Sequence, residues 1–330
     1  MGRLDGRRVL VTGGSGFIGS HVVRAALAEG AEVHALVDEV SSVVPQRLTD
    51  LAGRITFVPG NLTDSGAMRH AAQTTKPEIV LHLGAYTHVG KSFSHVGECI
   101  QTNVAGTSNL LQALEDTGYS RFVYTSTSEV YGDIPVPFQE DAVVTPLSPY
   151  SVTKYAGELM CRMFVQAYDW PIVVLRPFNA YGPAQSPDRI IPEIIVNALR
   201  GQPVNMTEGK QTREFNFVED LAEGFLLAGI AGDEVNGKVI NLGCGEEHSM
   251  REMAETILQV MGNPVPANFG ALPYRPTEIW RMFCDNTRAR ELLGWTPRHS
   301  LRDGLEKTIE WYRRAADDPH SPWFTPIGSG

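Results

Sequence analysis

The chain has 330 residues, 42% of them hydrophobic, and a formal net charge of −10. That length fits one large body with an appendage, or two domains, and the acidic balance excludes a nucleic-acid binder that works through overall basicity. Four scattered cysteines, Cys99, Cys161, Cys244 and Cys284, form no C-x-x-C pair, so neither a metal site nor a disulfide scaffold is expected. No stretch approaches membrane-spanning length and no export signal stands at the start, so the expectation is a cytoplasmic protein with no membrane partner.

Residues 8–12, RVLVT, lead straight into Gly13-Gly14-Ser15-Gly16-Phe17-Ile18-Gly19 and then the helical pattern HVVRAALAEG. Strand, tight turn and helix in that order describe a dinucleotide-binding unit. Gly13 permits the turn, Gly16 lets a pyrophosphate approach the backbone, and Gly19 allows close helix packing; Phe17 and Ile18 lie in the same cradle. A second strand at 32–37 ends at Asp38, at about the separation where an acidic residue holds the adenosine ribose hydroxyls. Its charge would repel a ribose phosphate, so NAD is expected rather than NADP.

The alternation continues with a strand at 55–58, a helix opening at 61–64 and a strand at 78–83, which means a parallel sheet with helices on both faces. Asn61 and Leu62 fall beyond one strand end, where an adenine ring is expected. His82, Leu83, Gly84 and Ala85 lie at and beyond the next, as a cofactor floor or simply as loop residues. In THVGKS, Thr87 and Ser92 are candidates for touching a substrate hydroxyl, whereas His88 lacks a second histidine or carboxylate at ligand spacing and reads as a loop histidine. The run 98–114 has a helical apolar pattern and carries Asn103, taken as a cofactor-side residue.

Residues 122–125 are the next strand, so Thr127, Ser128 and Glu129 sit at its carboxyl end, where open parallel sheets bind ligands. Ser148-Pro149 then introduces a helix on which Tyr150 and Lys154, four apart, share one face. A tyrosine has an ordinary pKa of about 10, too high for a good base near neutrality. A neighbouring ammonium and a positive nicotinamide would favour the phenolate. Lys154 can also hold the nicotinamide ribose, and Thr127 can share the hydrogen bond of a substrate hydroxyl.

TGGSGFIG, STSEVYG, PYSVTK and LRPFNAYGP, in this order, resemble the extended short-chain dehydrogenase/reductase family of nucleotide-sugar epimerases, dehydratases and decarboxylases, from about residue 8 to residue 312. The resemblance implies an α/β fold, a Rossmann-type doubly wound parallel sheet with a smaller C-terminal α/β substrate-binding domain. Residues 1–176 would bind NAD, and 177–330 would mainly bind the nucleotide sugar, with some segments returning to the first domain. It implies Tyr150 as catalytic base, Lys154 as its partner and Thr127 as the hydroxyl member, with Gly13, Gly16, Gly19, Asp38, Asn61 and Leu62 on NAD. Asn61 departs from the aspartate common at that position. Asn179 resembles the asparagine on the diphosphate side, and the segment AQSPDRIIPEIIVNALRGQPV, with Arg189, resembles one that covers the nucleotide. Arg213 and Arg281 look like the arginines that grip the diphosphate through paired hydrogen bonds, a surface ion pair being the lesser alternative for each. The helices at about 98–114 and 150–168 resemble those that pair into a family homodimer, or else pack on their own sheet. The tail 317–330 reads as disordered.

All members of that family would take a hydride from C4 of the sugar. A 4-ketone acidifies the C5 hydrogen, and Glu129 is placed to remove it so that the C6 hydroxyl can leave. An epimerase has no need of such a base, and the family's epimerases usually carry small residues here. The expectation is therefore an NAD-dependent nucleotide-sugar 4,6-dehydratase, with a 4-epimerase or a UDP-glucuronate decarboxylase as rivals. Ser128 stands where dTDP-glucose dehydratases carry an aspartate; GDP-mannose dehydratases and those acting on UDP-N-acetylhexosamines match better there. A silent dinucleotide-sensing regulator is the remaining alternative, disfavoured by the intact Thr127, Tyr150 and Lys154.

Overall fold

Apolar runs with period-two alternation become strands whose two faces feed two different cores. In the computed structural model, which describes residues 2–38, 46–274, 278–318, 321 and 323, β1 (Arg8–Thr12) runs into α1 (Phe17–Ala28), β2 (Glu32–Val37) and β3 (Thr56–Pro59). There follow α2 (Ser65–Thr75), β4 (Ile79–His82), the short helices α3 (Val89–Ser92) and α4 (Val96–Cys99), a π-helical turn (Ile100–Ala105) and α5 (Gly106–Leu114). Next come β5 (Arg121–Thr125), α6 (Pro149–Tyr168), β6 (Ile172–Pro177), β7 (Ala180–Tyr181), α7 (Ile190–Leu199), β8 (Val204–Met206), β9 (Thr212–Glu214) and β10 (Asn216–Phe217). The chain continues through α8 (Val218–Ile230), β11 (Val239–Leu242), β12 (Glu247–Ser249), α9 (Met250–Val260), β13 (Ala267–Phe269), α10 (Thr287–Leu293) and α11 (Leu301–Ala316).

The main sheet has seven strands in the order β11-β6-β5-β4-β1-β2-β3, all pairs parallel. This is the Rossmann-type doubly wound sheet that the sequence led us to expect. From β1 the chain winds outward through β2 and β3, then returns to β4 and winds the other way, so the switch point lies between β1 and β4. Val9 and Val11 point into a core with Val22, Val23, Leu221 and Phe225; Leu10 points oppositely, into one with Met68, Leu110, Leu111 and Cys161. A third core, around Ile194, Phe217, Met253, Ile257, Leu305 and Tyr312, is built mainly from α7, α9 and α11, with Phe217 from β10.

Two short-range features set the helix that carries Tyr150. Ser148 and Ser151 form a reciprocal capping box, and Pro149 fits the first helical position, where its missing N–H is not needed. Gly157 lets that helix lie close on β5: a Cβ there would fall 2.0 Å from the Tyr124 hydroxyl oxygen. The helical stretch expected at 98–114 is interrupted by the π turn at Ile100–Ala105. Most of the tail expected to be disordered lies outside the described residues. Among the described residues, no helix is long and apolar enough to cross a membrane, and no group of three or more His, Cys, Asp or Glu could hold a metal.

Candidate active site

The glycine turn comes first in chain order. Gly13 has φ +67°, and a Cβ there would lie 2.7 Å from the backbone nitrogen of Gly84 on the neighbouring strand end; only glycine fits this turn. Helix α1 opens at Gly16 with no side-chain cap and no acidic residue in its first turn. Its leading N–H groups and dipole are therefore left for an anion, which is the fit a dinucleotide pyrophosphate requires. Beyond the end of β2, Asp38 accepts a hydrogen bond from Asn61 Nδ2 at 3.3 Å, so the departure from aspartate at position 61 still leaves the two residues expected on the adenosine together. Leu62 is buried against Gly84 and Gly106, and the Leu83 amide continues the ladder to the Thr12 carbonyl at 3.1 Å. Phe17, Ile18 and Ala85 are partly exposed in the same region.

At the end of β5, Thr127 caps a short 3-10 turn, Ser128–Val130, by accepting from the Glu129 amide at 3.2 Å. The Thr127 hydroxyl also shares a hydrogen bond with Tyr150, which lowers the phenol's pKa. Burial dominates and pushes Tyr150 up to about 12; the negative charge of Glu129 adds to the rise and the positive charge of Arg189 opposes it. Thr127, Glu129, Tyr150 and Arg189 thus form one electrostatic group. Lys154 is buried too, and desolvation brings it down to about 8. Its ammonium stands 4.7 Å over the Tyr124 ring. The sequence led us to expect that this ammonium favours the phenolate; Lys154 is not among the charges that shift Tyr150 here, because its amine is turned to the aromatic face beneath the helix.

The residues expected on the substrate side are more dispersed. Ser128 Oγ and Asn179 Nδ2 both approach the buried Met282 sulfur, at 3.7 and 3.8 Å. Arg189 is the N-cap residue of α7, 3.8 Å from Asp188. Arg213 pairs with Glu278 at 2.7 Å and donates to the Ile279 carbonyl, while the exposed Arg281 pairs with Glu247, whose strand runs beside that of Arg213. Both arginines therefore hold carboxylates. Thr87 is exposed, His88 caps α3 by accepting from the Lys91 amide at 3.3 Å, and Ser92 is buried, donating to the Val89 carbonyl at 2.6 Å. Asn103 is buried, and both its amide groups are engaged by Tyr86 and Thr153.

Sequence reasoning passed over one set of residues under the site. Glu158, one further helical turn from Lys154, accepts from Arg176 at 2.9 and 2.7 Å and from the Ser126 hydroxyl, with both charges buried. The signal was present: Tyr150, Lys154 and Glu158 repeat every four residues along one face.

The chain matches the family model described as GDP-mannose 4,6 dehydratase over residues 10–308. It is 34% identical to a dTDP-glucose 4,6-dehydratase of Neisseria meningitidis over 93% of each chain. It is 36% identical to a UDP-glucose 4-epimerase of Mycolicibacterium smegmatis, over 93% of this chain and 98% of that one. Among solved structures, a UDP-glucuronic acid 4-epimerase from Bacillus cereus, in complex with UDP-glucuronic acid and NAD, superposes with a TM-score of 0.84 at 30% identity, covering 93% of this chain and 99% of that chain. With the glycine turn, the doubly wound sheet and the Thr127, Tyr150 and Lys154 arrangement, the chain belongs to the extended short-chain dehydrogenase/reductase family of NAD-dependent nucleotide-sugar epimerases and dehydratases.

Proposed function

We propose that the protein is an NAD-dependent nucleotide-sugar 4,6-dehydratase. The observation that carries this reading is Glu129, a carboxylate close enough to Tyr150 to raise its pKa, at the strand end where the sugar ring would lie. Residues 1–176 hold NAD, and 177–330 mainly hold the nucleotide diphosphate, with Asn179, Arg189, Arg213 and Arg281 on that side. Thr87 reaches a sugar hydroxyl, whereas Ser92, buried with its hydroxyl on the Val89 carbonyl, holds the loop beneath it. Leu83, Ala85 and Asn103 line or support the nicotinamide end.

Bound NAD supplies the acceptor for the C4 hydride and its donor to C6. Tyr150, hydrogen-bonded to Thr127, takes the proton from the C4 hydroxyl as the ketone forms. Lys154 holds the ribose, and the positive charge that acts on the phenol is that of Arg189. The ketone acidifies C5–H, and Glu129 takes that proton. The C6 hydroxyl leaves, and Glu129 can return the proton to it, which removes the need for an acid at Ser128. Return of the C4 hydride to C6, with a proton delivered to C5 that balances the one Tyr150 took from the C4 hydroxyl, gives a 4-keto-6-deoxy sugar, one water lighter than the substrate.

Incubating the protein with NAD and a panel of dTDP-, UDP- and GDP-hexoses and weighing the products tests the reading: loss of water supports it. The second reading, a 4-epimerase, has the Mycolicibacterium relative and the Bacillus structure on its side, and would give products of unchanged mass. Loss of carbon dioxide from a uronic acid would mark a decarboxylase. Exposed apolar side chains on adjoining segments, Val96, Ile100, Val152, Leu159 and Met163, support a homodimer through α4, the π turn and α6, read by sizing in solution. The free cysteines accord with a cytoplasmic location.

A further inference from the structure

At the switch point between β1 and β4, a buried histidine stands directly opposite the last residue before the glycine turn: Thr12 and His82 are register partners. Both ring nitrogens of His82 are engaged. Nδ1 lies 2.7 Å from the Thr12 hydroxyl and Nε2 lies 3.0 Å from the Thr107 hydroxyl. The direction of each bond follows from its neighbours. Thr107 has one hydroxyl proton and gives it to the Asn103 carbonyl at 2.8 Å, so toward His82 it can only accept. The imidazole proton is therefore on Nε2, and bare Nδ1 accepts from Thr12, whose oxygen accepts the Gly84 amide at 3.0 Å.

The same line of bonds reaches the catalytic helix. Asn103, turned inward by the π-helical turn, clasps the Tyr86 backbone on both sides at 2.7 and 3.2 Å. Its amide also donates to the Thr153 hydroxyl at 3.0 Å, and Thr153 donates to the Tyr150 carbonyl at 2.8 Å. Thr12, His82, Asn103, Thr107 and Thr153 are all buried. Every hydroxyl in the chain gives one proton and receives one, so reversing any member strands its neighbours. Lys154 from α6 and the rings of Phe122 and Tyr124 from β5 surround the imidazole, and burial with the Lys154 charge lowers its pKa to about 3.

We propose that His82, with its proton on Nε2, is a positioning residue that locks the glycine turn to the helix bearing Tyr150 and Lys154. This deepens the functional reading above and rests on it for what the two locked parts do. The lock sets the distance between cofactor and base, a quantity to which hydride transfer is sensitive: a misplacement of about 1 Å can cost about a hundredfold in rate.

Two measurements on the full chain test it. With histidine labelled by nitrogen-15, the His82 ring should show a protonated, exchange-protected Nε2 and a bare Nδ1, unchanged from pH 6 to 9. A proton on Nδ1, or titration near the ordinary histidine value, overturns the proposal. Thr107→Val removes the acceptor for Nε2–H, and Thr107→Ser restores it. The valine variant should weaken NAD binding and slow NADH formation at saturating nucleotide sugar, each by about tenfold or more, and the serine variant should recover both to within about twofold. A valine variant that loses stability yet binds NAD and forms NADH as the wild type does shows a purely structural histidine. If the wild type forms no NADH with any nucleotide sugar, the functional reading fails on its own, and the ring tautomer and NAD affinity still decide this one.

Discussion

Arg176 and Glu158 form a doubly hydrogen-bonded ion pair, 2.7 and 2.9 Å, buried beneath the helix that carries Tyr150 and Lys154. Glu158 also receives the Ser126 hydroxyl, so one carboxylate ties β5, β6 and α6 together at the level of the site. Arg176→Met leaves a buried carboxylate without its partner and should destabilise the protein by about 3–5 kcal/mol, measured by denaturant unfolding. The double variant Arg176→Met, Glu158→Met should recover most of that loss, because the cost lies in the unpaired charge. A double variant no more stable than the single one would contradict this account.

The charges around Tyr150 give two variants with opposite signs. Thr127→Val removes a hydrogen bond that lowers the Tyr150 pKa, and Glu129→Gln removes a charge that raises it. The base must be deprotonated to take the C4 proton, so NADH formation rises with pH through the operative pKa. The Thr127 variant should move that rising limb to higher pH and the Glu129 variant to lower pH. Stopped-flow absorbance of NADH across pH reads both; shifts in the same direction would show that these residues do not act on Tyr150 separately.

Glu129→Gln separates oxidation from elimination. The variant should still form NADH with the nucleotide sugar, while release of the dehydrated product falls by about 10²–10⁴-fold, the usual worth of a general base. Normal turnover would remove Glu129 from the mechanism.

Gly13→Ala places a side chain against the Gly84 backbone at φ +67°. The left-handed conformation alone costs alanine about 1–2 kcal/mol, and relieving the contact must open the turn. NAD affinity, followed by calorimetric titration, should fall by at least about tenfold, whereas Gly53→Ala, at a positive φ with open space around it, should leave it unchanged.

Much of this arrangement was legible in the sequence because strand, glycine turn and helix are short-range patterns. Residues 8–12, 32–37 and the Ser148-Pro149 helix start reappear at or within a residue of their expected places. The π turn at Ile100–Ala105 was not legible: its apolar pattern is that of an ordinary helix, and the extra residue shows only in how Asn103 and Thr107 bond across space. Likewise the pairing of Arg213 with Glu278 joins residues 65 positions apart, a separation at which no spacing rule applies. The direction of the Lys154 amine, toward Tyr124, is set by packing under α6.

The central claim is that the hydride taken from C4 is delivered to C6. A nucleotide sugar carrying deuterium at C4 tests this in one experiment, with the product analysed by NMR. A 4,6-dehydratase moves the label to C6 and releases a 4-keto-6-deoxy sugar, and this is the expected result. Deuterium found again at C4, in a sugar inverted there or shortened by loss of carbon dioxide, would contradict the account.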